Sequence, residues 1–104
     1  MLFIETSVFT REITRLLPDE LYGELQIVLA LHPDAGDVIR GSGGLRKIRW
    51  SIPGRGKRGG LRVIYYWDEP DTIFMLFPYR KNEQEELTAG QLRVLKAVVK
   101  EWLE

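Results

Sequence analysis

Residues 45–77 read LRKIRWSIPGRGKRGGLRVIYYWDEPDTIFMLF, and the periodicity of this stretch decides the fold. From Leu45 to Ile52 the chain alternates. Ile48, Trp50 and Ile52 point one way and Lys47 and Arg49 the other, the pattern of a half-buried strand. Leu61 to Trp67 is β-branched and aromatic, which suits a central strand. Asp68-Glu69-Pro70-Asp71 reads as a turn. Thr72 to Phe77 is apolar throughout, so both faces of that segment are expected to be covered. Three strands in succession predict an antiparallel meander.

Outward from this stretch the pattern is helical. Leu2 to Glu5 has room for a brief strand, and Phe9, Ile13, Leu16 and Leu17 then recur at helical spacing, predicting a helix over 7–17. Pro18 suits the first turn of a second helix, whose positive end Asp19 and Glu20 complement. Leu21, Leu25, Val28 and Leu29 supply its buried stripe, and Pro33 stops it just after His32. Toward the C-terminus, Thr88 and Gln91 form a capping box, with Leu87 and Leu92 placed as a hydrophobic staple. Leu92, Leu95, Val99 and Trp102 then make one apolar stripe. The expected order is β-α-α-β-β-β-α. This is an α+β fold whose antiparallel sheet is packed by an N-terminal helical hairpin and a C-terminal helix. A length of 104 residues fits one domain, 1–104.

Composition removes several function classes. There are no cysteines, hence no disulfides, thiolate metal sites or cysteine nucleophiles, and a reducing, cytoplasmic setting is expected. A single histidine, His32, excludes a two-histidine metal site. The longest apolar runs, Ile73 to Phe77 among them, are far short of the roughly 20 residues that span a bilayer, so no membrane partner is expected. The opening Met-Leu-Phe-Ile-Glu lacks a basic region, and no secretory signal is expected.

The net charge is zero, yet the charge is segregated. Between Val38 and Trp67 stand eight Arg or Lys and no Asp or Glu; the remainder carries a net of −8. A local positive field of that kind predicts an anionic partner. Three features stand out within or beside it. The connection Pro53-Gly54-Arg55-Gly56-Lys57-Arg58-Gly59-Gly60 combines four glycines with three cations. Its G-x-G-x-x-G match leads into a strand and not a helix, which argues against dinucleotide binding and leaves a phosphate-contacting loop or a solvated hairpin. Arg62 opens an apolar strand and shares a face with Ile64 and Tyr66, where an unpaired guanidinium costs several kcal/mol. Its partner is a carboxylate on a neighbouring element or, since the basic segment holds none, an external anion such as phosphate. Finally, Tyr79-Arg80-Lys81 at the exit of the third strand falls beside Arg62 in a meander, where cations and an aromatic ring suit nucleic acid. The acidic groups Asp34/Asp37 and Glu83/Glu85/Glu86 lack a recognisable metal spacing and read as solvated surface.

The runs Gly41-Ser42-Gly43-Gly44-Leu45-Arg46-Lys47-Ile48-Arg49 and Gly56-Lys57-Arg58-Gly59-Gly60-Leu61-Arg62-Val63-Ile64-Tyr65-Tyr66, followed by Tyr79-Arg80-Lys81-Asn82-Glu83, resemble RelE-type toxins of type II toxin–antitoxin systems, closest to the HigB group. The resemblance implies a RelE-like fold and a ribosome-dependent endoribonuclease, an mRNA interferase that cuts mRNA in the A site of the 70S ribosome and so inhibits translation. The reaction it implies uses no cofactor and no metal: the RNA 2′-hydroxyl attacks the adjacent phosphate and leaves a 2′,3′-cyclic phosphate. By matching position it makes Arg62 the transition-state stabiliser. Lys57 and Arg58 become loop phosphate contacts, one of them assisting proton transfer. Lys81 is a candidate acid or base, and Tyr79 a base-stacking or orienting residue. Arg46, Lys47, Arg49, Arg55 and Arg80 are left to hold ribosomal or messenger RNA. With no useful histidine, proton transfer is expected to fall to a lysine or tyrosine whose pKa the cation cluster lowers. A cognate antitoxin is implied as partner, with the toxin a monomer or part of an antitoxin-bridged hetero-oligomer. A ParE-like gyrase poison without nuclease chemistry, and a non-catalytic RNA- or ribosome-binding module, are the alternatives on the same fold.

Overall fold

A computed structural model describes residues 1–51 and 60–104. The elements are β1 (Leu2–Glu5), α1 (Ser7–Leu16), α2 (Asp19–Leu31), β2 (Asp37–Val38), β3 (Arg46–Trp50), β4 (Leu61–Asp68), β5 (Thr72–Arg80) and α3 (Ala89–Leu103). They build one α+β sheet structure with strand order β1-β5-β4-β3-β2. The meander β3–β4–β5 is antiparallel as its sequence predicts.

Two strands depart from the sequence reading. β1 runs parallel to β5, pairing Leu2 with Thr72 through Glu5 with Met75. The meander uses only one edge of β5, and β1 closes the other in the direction that feeds α1 directly onto the sheet. Thr6 makes that junction. Its hydroxyl oxygen accepts from the Phe9 amide (2.9 Å) as the α1 N-cap, while the hydroxyl donates to the Leu76 carbonyl (2.9 Å). The second addition is β2, two exposed residues paired with Arg46 and Lys47, too short to carry any periodicity. β5 also continues through Pro78 to Arg80. β1 pairs only as far as Met75, so beyond it β5 has an open edge where a missing N–H is tolerated.

The sheet separates two apolar layers. On one face Phe9, Ile13, Leu16 and Leu17 of the α1 segment, with Leu25 and Leu29 of α2, pack on Val63, Tyr65, Ile73 and Met75. On the other, Leu95 and Val99 of α3 pack on Leu45, Ile64, Phe74 and Leu76. The capping box at Thr88 and Gln91 forms as read. Tyr65 ties the first layer to the connection after α2. Its fully buried hydroxyl accepts from the Gly36 amide and donates to the Pro33 carbonyl, both at 2.8 Å. A Cβ at position 36 would stand 2.8 Å from the Tyr65 ring, so only glycine lets the backbone approach.

Thr6→Ala removes both the α1 cap and the bond to Leu76. It is expected to lower the unfolding free energy by roughly 1–2 kcal/mol in urea denaturation.

Candidate active site

β5 contains one residue more than its partner. Ile64 pairs with Phe77 but Tyr65 pairs with Met75, so Leu76 is left out of the ladder as a β-bulge. Its carbonyl is the group that Thr6 satisfies. Side chains alternate with period two, so one extra residue flips the parity of everything beyond it. In an unbroken strand Tyr79 would share the face of Ile73 and Met75, toward α1 and α2. The bulge instead sets it on the α3 face, in register with Arg62. Arg62 is in turn in register with Arg49. Arg49, Arg62 and Tyr79 therefore form one row across β3, β4 and β5.

The row is electrostatically incomplete. Like charges directly opposite each other on neighbouring strands are destabilising, and Arg49 faces Arg62. Among the described residues no carboxylate lies within 4.0 Å of either. Residues 52–59 contain no Asp or Glu. Among the described residues the half-buried Arg62 makes one long bond, 3.4 Å, to the carbonyl of its own neighbour Leu61. Tyr79 is only 4% exposed and its hydroxyl has no hydrogen-bond partner among the described residues, although the Leu87 amide leans toward it. A buried hydroxyl without a partner costs free energy that a hydrogen-bonding ligand would recover.

Burial pushes the Tyr79 phenol up, Arg62 and Arg49 pull it down, Glu86 pushes it up, and burial wins. The expectation that the cation cluster lowers a tyrosine pKa therefore fails at Tyr79: the phenol is a neutral hydrogen-bond donor. Its ring is enclosed, with Phe77 at 6.0 Å, and offers no face to a stacked base. Of the two roles implied for Tyr79, orientation is the one its burial permits.

Beside the row opens a cleft of ≈ 320 Å³ bordered by Arg40, Lys47, Arg49, Tyr79, Glu86 and Leu87. Lys47 and Arg49 thus stand where an RNA contact would be useful. Arg46 does not: it has the parity of Ile48, and its guanidinium donates to the carbonyls of Gly36 (2.8 Å) and Asp34 (3.3 Å), a structural clasp. Arg80 is in register with Leu61 on the α1–α2 side, away from Arg62. Lys81 is exposed, and its amide donates to the Gly60 carbonyl (3.1 Å), which puts the exit of β5 beside the start of β4. Arg55, Lys57 and Arg58 lie outside the described residues. Two cleft residues were not singled out by the sequence. Arg40 was visible only as part of the basic segment, and Glu86 read as solvated surface. Among the described residues no three His, Cys, Asp or Glu side chains converge on one point. No described helix is long and apolar enough to cross a membrane.

The family model described as the RelE toxin of the RelE/RelB toxin–antitoxin system matches residues 26–104. The chain belongs to the RelE toxin family. The matched region includes the whole Arg49–Arg62–Tyr79 row and the cleft beside it. The fold also resembles a solved structure of an E. coli RelE double mutant in the free state. That likeness has a TM-score of 0.59 at 15% identity, over 94% of this chain and 95% of that one. Identity so low carries the fold alone.

Two measurements check the electrostatic description. Tyr79→Phe removes a buried hydroxyl that has no partner, so the unfolding free energy is expected to stay within about 1 kcal/mol of wild type or to rise. Burial also raises the phenols of Tyr22, Tyr65 and Tyr79 above the ordinary value of 10.0, so the unfolded chain ionises first as pH climbs. Their contribution is fully present below that value and is lost above it. Urea melts between roughly pH 8 and pH 11 should show this fall, less steeply in Tyr79→Phe.

Proposed function

We propose that this toxin is a metal-independent, HigB-like endoribonuclease that cleaves mRNA in the ribosomal A site. The observation that carries the reading is the row Arg49–Arg62–Tyr79: among the described residues, two cations without a carboxylate beside a buried neutral phenol without a partner. A pentacoordinate phosphate completes this row. Its equatorial oxygens take charge-assisted bonds from the guanidiniums and a neutral bond from the phenol. Arginine suits the role because its planar fork stays protonated and matches phosphate geometry.

Arg62, in the middle of the row, stabilises the charge that develops as the 2′-hydroxyl attacks. Arg49 shares that task, Tyr79 fixes the orientation of the phosphate, and Lys47 and Arg40 follow the flanking backbone through the cleft. By family resemblance Lys57 and Arg58 add phosphate contacts, Arg55 holds RNA, and Lys81 is a candidate for proton transfer. A shallow site on a small protein cannot by itself hold a flexible message in line for attack, so the ribosome supplies the ordering. An acidic segment of a cognate antitoxin is suited to cover the basic cleft and silence it. A gyrase poison has no use for an anion row of this kind, which places the nuclease reading ahead of the ParE-like one.

The test is primer extension on mRNA bound to programmed 70S ribosomes, comparing wild type with Arg62→Ala. Wild type is expected to produce a break within the A-site codon that needs ribosomes. Arg62→Ala, with an unchanged melting curve, is expected to lose roughly 10²-fold or more in rate. An intact message alongside cell toxicity would turn the assignment to gyrase. Full cleavage by Arg62→Ala would remove Arg62 from the mechanism.

A further inference from the structure

The three members of the row stabilise charge, and none of Arg49, Arg62 and Tyr79 takes up the proton that the attacking 2′-hydroxyl must lose. Tyr79 is neutral and buried, and arginine does not deprotonate in proteins. Of the residues bordering the cleft, two are carboxylates. Asp37 belongs to the edge strand β2, and Glu86 comes from the connection between β5 and α3, on the side of Tyr79. Glu86 is close enough to push the Tyr79 phenol upward and is the carboxylate with the larger influence there.

The connection that carries Glu86 is fixed. The Glu83 and Gln84 amides donate to the Arg80 carbonyl at 3.1 and 3.0 Å. The Gln84 side chain donates to the Glu86 carbonyl at 2.8 Å and joins Gln91 of the α3 capping box. The backbone of Glu86 is thereby held, while its side chain is exposed and forms no ion pair within 4.0 Å among the described residues. A carboxylate with a structural task would close on Arg40, Lys47 or Arg49 across the cleft. This one is left available beside them.

We infer that Glu86 is the general base of the cleft, taking the proton from the attacking 2′-hydroxyl. The inference rests on the nuclease reading and deepens it. In the step, the 2′-oxygen forms a bond to the adjacent phosphorus and its proton passes to the Glu86 carboxylate. The bond from phosphorus to the 5′-oxygen breaks, that oxygen takes a proton from solvent, and Glu86 returns its own proton to solvent. The products are a 2′,3′-cyclic phosphate and a free 5′-hydroxyl.

Charge alone predicts the opposite sign of effect, which makes the test sharp. A glutamate that merely repels RNA would, once neutralised, give tighter binding and faster cleavage. A general base gives slower chemistry with binding unchanged or tighter. The experiment is single-turnover cleavage of mRNA on programmed ribosomes, with ribosome affinity measured alongside, for wild type, Glu86→Gln and Glu86→Asp. Glu86→Gln is expected to lose roughly 10²–10⁴-fold in rate without loss of affinity, and Glu86→Asp to recover part of it. Cleavage by Glu86→Gln within about threefold of wild type, or faster, with wild type active, overturns this inference alone. A wild type that cleaves nothing overturns the nuclease reading and this inference with it.

Discussion

A strand of period two cannot place Met75 in the layer under α1 and Tyr79 in the layer under α3 unless one residue is dropped from its ladder. Leu76 is that residue, and the candidate site depends on it. The Thr6 hydroxyl meets the bulge carbonyl from the neighbouring connection, so the same side chain starts α1 and supports the irregularity. Without the parity change, Arg62 would face a main-chain row with no phenol, and Tyr79 would point into the α1–α2 layer. A local irregularity in β5 thus assembles the row.

The row is also where the structure departs from good packing practice. It opposes two guanidiniums across a strand pair and buries a hydroxyl without a partner. Both features are destabilising, and one phosphate group of the proposed substrate would relieve both. Several groups elsewhere complete their bonds, although Trp50 Nε1 and Arg80 Nε are also buried without a partner among the described residues. Tyr65 completes two bonds at full burial, Arg46 completes two to backbone carbonyls, and Thr6 completes two. The contrast between Tyr65 and Tyr79, on neighbouring strands, separates a tyrosine that holds the fold from one suited to a ligand.

Much of this was legible where the signal is local. The capping box starts α3 through Thr88 and Gln91, and the alternation of β3 puts Lys47 and Arg49 opposite Ile48. Both depend on residues a few positions apart. The meander also implied that Tyr79 would approach Arg62, and the register bears this out. What remained hidden is non-local. β1 is four residues long and carries no mark of a parallel partner, and β2 is shorter still. The bulge leaves no trace in the sequence because β5 is apolar on both faces, so a lost residue does not disturb its pattern. The faces of Arg46 and Arg80 follow from strand parity and from the bulge, and Glu86 joins the cleft only through the path of the connection into α3.

In the proposed mechanism Arg62 and Tyr79 act on one phosphate as a unit assembled by the bulge. A double-mutant cycle measures this directly, using single-turnover cleavage rates on programmed ribosomes for Arg62→Gln, Tyr79→Phe and the pair. Groups that act together on one transition state are strongly non-additive, so the double variant is expected to be about as slow as the slower single variant. Losses that simply multiply would show that the two residues act separately and not as one phosphate-binding unit.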